Sequence, residues 1–292
     1  MPNLDHSGDL WLADSHVHST HSCDARSTLT EMCQRAVELG LHFICFTEHL
    51  DLDPRDDGYR YFRPEAYFAE IEAARAQFRG QLTIGAGVEV CYQSQREDEI
   101  ADWLERWPFD FVLGSVHIVE HGDDWVMVPD RASMLAWSAC RTVRNAYLPY
   151  FEELRRAASS GLFDALAHLD LVKRYGTLVY GPFDRAAFAD ELDAVLEAAL
   201  AYGTAIEINT SGLFQPAGET FPGLDTVRRY RELGGCILTI GSDSHDIHQL
   251  GRGLDVAIAQ AQAAGFTEIA CFLQRRPQLY PLPAIEAQEA TA

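Results

Sequence analysis

The chain has 292 residues, 44 acidic against 23 basic, for a formal charge of −21 at neutral pH. A chain of this length buries about 75% of its unfolded surface and needs no disulfide or metal staple merely to fold; 47% hydrophobic and 23% charged residues are ordinary for a globular protein. So much net acid disfavours a platform for nucleic acid or for an anionic membrane surface, and neither is expected as a partner.

Met1 to Ser7 is short and polar, without a basic n-region or a long apolar run, so no signal peptide is expected. No stretch approaches the ~18 apolar residues of a membrane span. From there short β-rich runs alternate with helical patterns. Leu10–Ser15 reads as a strand and Thr28–Leu39 as a helix capped by Thr28. Strand Phe43–Thr47 precedes helix Pro64–Phe78, strand Leu82–Val90 precedes helix Glu97–Trp107, and strand Phe109–Val116 precedes a long helical stretch, Arg131–Ser159. Pro149 is expected to kink or split that stretch. Strand Ala165–His168 is followed by helix Asp184–Tyr202, strand Ala205–Asn209 by helix Leu224–Leu233, and strand Cys236–Gly241 by helix Leu254–Ala264, with a last short strand at Glu268–Leu273. Gly40, Gly80, Gly161, Gly203 and Gly234 each follow a helical run, where a left-handed cap is expected.

Seven β-α units in series argue for a parallel sheet with helical crossovers. No break in composition divides the chain, so residues 1–283 read as a single domain, and Ala284 to Ala292 as a loose tail. Periodicity alone does not separate a barrel from an open sheet. Polar residues at the C-terminal end of nearly every strand favour a closed ring, because an open sheet gathers its ligands at one switch point. The seven cysteines (23, 33, 45, 91, 140, 236 and 271) are scattered and odd in number, with no C-x-x-C. That fits neither a disulfide framework nor a thiolate zinc site, and points to a reducing, cytoplasmic setting.

The chemistry lies at those strand ends. His16 and His18, two apart on a strand, can present two imidazoles to one ion. Asp243 and His245 repeat that spacing after Ile237–Ile240. Glu48-His49, Glu89, His117 and His168-Leu169-Asp170 end the strands between. A buried carboxylate is costly unless paired or metal-bound. Each of these residues alone could be structural; their joint placement points to a metal centre. His6, His42 and His248 read as surface or packing residues, as does His121 in what reads as an acidic loop, Glu120–Asp124, and His21 is less clear because its loop carries Asp24.

The motifs Asp14-Ser15-His16-Val17-His18, Phe46-Thr47-Glu48-His49, Gly87-Val88-Glu89, Gly114-Ser115-Val116-His117 and Gly241-Ser242-Asp243-Ser244-His245 together resemble the PHP (polymerase and histidinol phosphatase) superfamily. The runs His168 to Tyr175, Glu207 to Leu213 and Gly251-Arg252-Gly253 resemble its histidinol-phosphate phosphatase branch, and the likeness extends from about Ala13 to Pro283. It implies a distorted (β/α)7 barrel with three divalent ions at the C-terminal ends of the strands. The first ion would be held by His16, His18, Glu89 and Asp243, the second by Glu89, His117 and His168, the third by Asp24, His49 and His245. Glu89 would bridge, with Glu89, His117 and Asp243 as the catalytic members. Asp24 stands where many members have histidine. Imidazole and carboxylate without thiolate suit Zn, Mn or Fe better than Mg or Ca.

The activity implied is hydrolysis of L-histidinol phosphate to L-histidinol and phosphate, by in-line attack of a metal-bridging hydroxide. Arg174, Arg252 and Lys173 are the candidates for holding the phosphate, the two arginines being favoured for their bidentate grip. Glu48, with Asp51, Asp53, Tyr61 and Phe62, is the candidate for the ammonium and imidazole end. His21 and the neighbourhood of Asp24 are candidates for the leaving-group acid, beside a metal-bound water. The alternatives are a PHP phosphoesterase of other specificity (a nucleotide or sugar-phosphate phosphatase, or a 3′-5′ exonuclease) and a metal-stabilised binding module. An exonuclease would want a basic groove, and the sequence shows only short pairs such as Arg155-Arg156.

Overall fold

The computed structural model describes residues 12–282. Leu10 and Trp11 of the first expected strand, His6, Pro283 and the tail from Ala284 to Ala292 lie outside the described residues. In chain order the elements are β1 (Ala13–Val17), α1 (Leu29–Glu38), β2 (Phe43–Leu50), α2 (Pro64–Gln77), β3 (Thr83–Cys91), α3 (Glu97–Arg106) and β4 (Phe111–Ser115). Then come β5 (Ile118–His121), β6 (Asp124–Met127), α4 (Arg131–Ala139), α5 (Val143–Ser159), β7 (Ala165–Leu166), α6 (Lys173–Tyr180), α7 (Ala189–Tyr202) and β8 (Ala205–Asn209). The chain goes on through α8 (Leu224–Glu232), β9 (Leu238–Gly241), α9 (Leu254–Ala263), β10 (Glu268–Leu273) and β11 (Arg276–Pro281).

Seven parallel strands run in the order β1-β2-β3-β4-β7-β8-β9. Ring closure comes from β1 meeting the segment after β9: Val17 bridges Ser244, His18 N donates to Ser244 O at 2.9 Å, and Asp243 N to His16 O at 2.9 Å. The buried Asp14 carboxylate reinforces the seam, accepting from Ser242 N at 2.8 Å, Ser242 Oγ at 2.5 Å and Gly251 N at 3.1 Å. Burial nevertheless pushes its pKa up to about 6, against those hydrogen bonds. The result is a nearly closed α/β barrel. Its strands are buried on both faces, which is why β2 reads Phe-Ile-Cys-Phe without alternation. The helices outside are amphipathic. In α1, Leu29, Met32, Cys33 and Ala36 form the buried stripe, and Thr28 and Glu31 form a reciprocal capping box.

Two readings are corrected. The long helical stretch breaks at 140–142, where Thr142 caps α5 by accepting from Asn145 N at 3.3 Å; Pro149 lies buried within α5. The cap, not the proline, decides the boundary. The segment around Glu120–Asp124 is the turn of an antiparallel hairpin, β5-β6, with Gly122 at φ 66°. The five cap glycines all have positive φ, from 72° to 103°.

Candidate metal centre

The barrel directs its polar side chains to one floor. A register shift between Asp14 and Val17 interrupts the β1–β2 ladder just where His16 and His18 turn inward. Register then sets His49 directly beside Glu89 on β2 and β3. His117 follows β4, His168 follows β7, and Asp243 and His245 follow β9. His168 and Asp243 hold positive φ, 25° and 55°, the kind of backbone strain that concentrates at functional sites.

The donor atoms fall into clusters. His16 Nε2 and His18 Nε2 lie 3.1 Å apart, at 3.3 and 3.5 Å from Glu89 Oε2 and 3.6 and 3.4 Å from Asp243 Oδ1. The edge of a tetrahedral cage with zinc–nitrogen bonds is about 3.3–3.4 Å, so His16, His18 and Glu89 are spaced to hold one divalent ion, with Asp243 beside both imidazoles. The other Glu89 oxygen, Oε1, lies 3.3 Å from His117 Nε2 and 2.9 Å from His168 Nε2, which are themselves 3.5 Å apart. A third group is looser: Asp24 Oδ2 lies 3.2 Å from His245 Nε2 and 3.8 Å from His49 Nε2, with 3.5 Å between the two imidazoles. His49 also turns its Nδ1 to Glu89 Oε2 at 3.0 Å, so it touches the central carboxylate as well as the third group.

Carboxylates and imidazoles at the floor set one another's charge. Burial alone would raise the Glu89 pKa, but His16, His117 and His49 hold it well below the carboxylate range. Asp243 is likewise held low, by His16 and His18 against its burial. Burial, with His245 and His49 close by, keeps His18 neutral at neutral pH. Ionised carboxylates and the neutral His18 offer lone pairs to an ion. Against burial, nearby carboxylates hold His16, His117, His49 and His245 toward their protonated forms, so an ion would displace those protons on binding. Glu89 Oε2 is buried and accepts no well-aligned hydrogen bond.

Above the floor opens a cavity of about 730 Å³. Arg174 of α6, Ser211 and Gln215 after β8, and Arg252 after β9 line it. Asp51, Asp56 and Asp57, after β2, line it as well, with Trp125 and Met127 of the hairpin. Among the described residues no carboxylate pairs with Arg174 or Arg252. Arg174 Nε is buried without a partner, and the Arg252 guanidinium stacks on Phe214 at 3.6 Å.

Other candidates are placed elsewhere. Lys173 is fully buried, its Nζ 2.8 Å from Asp170 Oδ2 and 3.0 Å from Glu219 Oε1 between the rings of Phe183 and Phe221. It does not reach the cavity. Glu48 is buried too, its carboxylate taken up by Ser19 Oγ and Ser22 Oγ, each at 2.6 Å, and by Ser19 N at 3.1 Å. It braces the loop between His18 and Asp24 and does not line the cavity. Asp53 pairs with Arg55, Tyr61 donates to Thr20 O, Phe62 packs on Tyr67, and His21 faces Glu70 at 2.9 Å. Of that group only Asp51 lines the cavity.

Glu207 and Asn209 stood in the sequence only as part of a branch motif, with no role given to either. Glu207 Oε1 lies 2.7 Å from His16 Nδ1, and Asn209 Nδ2 lies 3.3 Å from Asp243 Oδ2. The signal was present: a glutamate in the apolar run Ala205–Asn209 must find a partner. The hairpin's Trp125 was missed because its neighbours read as an acidic loop.

Comparison with known proteins shows the family. The PHP domain family model matches residues 14–211. A Deinococcus radiodurans protein named probable histidinol-phosphatase is 32% identical over 257 residues, covering 87% of this chain and 94% of the relative. The histidinol-phosphatase of Lactococcus lactis is 30% identical over 259 residues, covering 89% and 93%. The crystal structure of a histidinol phosphate phosphatase from Lactococcus lactis, complexed with zinc, L-histidinol and phosphate, superposes with a TM-score of 0.83 at 29% identity, covering 92% of this chain and all of that one. With the family model matched over most of the barrel and these relatives matched nearly end to end, the chain belongs to the PHP domain family, in its histidinol-phosphatase branch.

Proposed function

We propose that the protein is a metal-dependent phosphomonoesterase that hydrolyses L-histidinol phosphate to L-histidinol and phosphate. The observation that carries this reading is one cavity with a floor of imidazole and carboxylate donors and a wall bearing two unpaired arginines. The Lactococcus relative, of the same fold, was solved with zinc, L-histidinol and phosphate.

Three divalent ions (Zn, Mn or Fe) would be held by His16, His18, Glu89 and Asp243; by Glu89, His117 and His168; and by Asp24, His49 and His245. When bound, such ions acidify water toward neutral pH and offset charge on the phosphoryl oxygens. The chain's own groups supply placement. Glu89 keeps two donor clusters in one fixed relation, one oxygen to each, beside His117 and Asp243. Arg174 and Arg252 offer planar donors to the phosphate dianion. The carboxylates of Asp51, Asp56 and Asp57 in the same cavity suit the ammonium and imidazole of histidinol. The remaining surface acidity favours a small ester over a long polyanion. Seven unpaired cysteines support a reducing, cytoplasmic compartment, and no helix among the described residues is long and apolar enough to cross a membrane.

Arg174→Ala tests the phosphate wall. It is expected to lower kcat/KM for histidinol phosphate by about 10²-fold, the scale of one lost donor to a charged oxygen, with bound metal unchanged. An unaltered kcat/KM would take Arg174 out of the site.

A further inference from the structure

Among the seven barrel strands, β8 alone brings no residue to the nine-donor set. Its two inward polar side chains reach the donors of its neighbours instead. Glu207, only 1% exposed, accepts at both oxygens. Oε1 faces His16 Nδ1 at 2.7 Å, while Oε2 takes the backbone N–H of His168 at 3.1 Å and Asn209 Nδ2 at 3.2 Å. Asn209 Nδ2 also reaches Asp243 Oδ2 at 3.3 Å, and Asn209 Oδ1 holds Ser211 Oγ, itself 3.3 Å from the same Asp243 oxygen. One strand therefore braces residues from β1, β7 and β9.

We propose that Glu207 is a positioning residue that fixes the tautomer of His16 and the turn of His168, so that one carboxylate prepares two neighbouring ion sites. The inference rests on the metal centre proposed above. A carboxylate offers only acceptors, so His16 must carry a proton on Nδ1, which leaves Nε2 as the ring nitrogen that can give its lone pair to an ion. That Nε2 is the atom 3.1 Å from His18 Nε2 and 3.3 Å from Glu89 Oε2. The second oxygen holds the His168 peptide N–H in its left-handed conformation, φ 25°.

Glutamine in the same place must turn an NH2 toward one of these partners. The His168 peptide N–H cannot surrender its proton. The His16 imidazole can move its proton, to Nε2, and the amide then sits against Nδ1. A proton on Nε2 occupies the lone pair that the ion requires. Glu207→Gln therefore weakens the His16 site through the tautomer, with almost no change of shape.

The test is metal binding rather than turnover. Protein stripped by a chelator is refilled with Zn²⁺ under competition from a colorimetric chelator, for wild type, Glu207→Gln and Glu207→Asp. Glu207→Gln is expected to lose about 10–100-fold in affinity at one site, the usual effect of removing a partner of a metal-bound histidine. Glu207→Asp, which keeps an acceptor, should recover part of that loss. A variant that binds every ion as tightly as wild type overturns the role of Glu207. Wild type that binds no ion overturns the metal centre itself, a different outcome. Long-range ¹H–¹⁵N spectra of zinc-loaded wild type give a check that needs no variant. They should place the His16 proton on Nδ1, and a proton on Nε2 overturns the inference.

Discussion

Glu89→Gln is expected to strip the ions from both sides of the carboxylate and to lower turnover by more than about 10³-fold. Each Glu89 oxygen faces its own set of imidazoles: Oε2 lies within 3.5 Å of His16, His18 and His49, and Oε1 within 3.3 Å of His117 and His168. The amide is the same size, so the barrel has no steric reason to change. Its NH2 group, however, is a donor and cannot ligate, and the negative charge that offsets two cations is gone. Elemental analysis beside kcat reads the result. Normal turnover with normal metal content in this variant would rule out a bridging role.

Lys173→Met is expected to act on stability, costing about 3–5 kcal/mol, the scale for breaking a buried ion pair by removing one partner. Lys173 is wholly buried, and so is Asp170 opposite it. Burial raises the Asp170 pKa and Lys173 opposes that rise; without the ammonium the pKa climbs further. A carboxyl with a raised folded pKa contributes its full stability below its unfolded value, and loses it as pH rises through the folded one. The deficit of the variant should therefore be largest at neutral pH and narrow in mild acid. Urea unfolding at the two pH values measures this. A variant as stable as wild type at neutral pH would refute the structural role and reopen a place for Lys173 at the substrate.

These two residues mark what could be read from the sequence. Glu89 ends an apolar strand after Gly87, and a carboxylate there has few explanations besides a partner or a metal. The same logic reached His16, His18, His49, His117, His168, Asp243 and His245, and the structure gathers all of them with Asp24 at one end of the barrel. The strands were legible because both of their faces are buried. Lys173 was misplaced because adjacency to Arg174 along the chain says nothing of direction. On α6 successive side chains diverge by about 100°, so one arginine faces the cavity while its neighbouring lysine enters the core. Glu48 failed for a related reason. On a strand it points away from His49, to the side where Ser19 and Ser22 receive it. The β5-β6 hairpin was hidden by its acidic turn. Helix α6 carries Gly176 and the weak helix formers Thr177 and Val179. Glu207 had no role in the sequence because it does not line the cavity: it reaches the floor through His16 and His168.

The account's central claim is a metal-dependent hydrolysis of one small ester. Its most direct test is kcat/KM across a panel of phosphomonoesters that includes L-histidinol phosphate, nucleotides and sugar phosphates, with metal analysis of the same sample. Histidinol phosphate should rank first, in protein carrying divalent ions, and the activity should disappear when the ions are removed and return when they are restored. Histidinol phosphate ranking below the other esters would contradict the substrate, and hydrolysis that survives complete loss of the ions would contradict the claim as a whole.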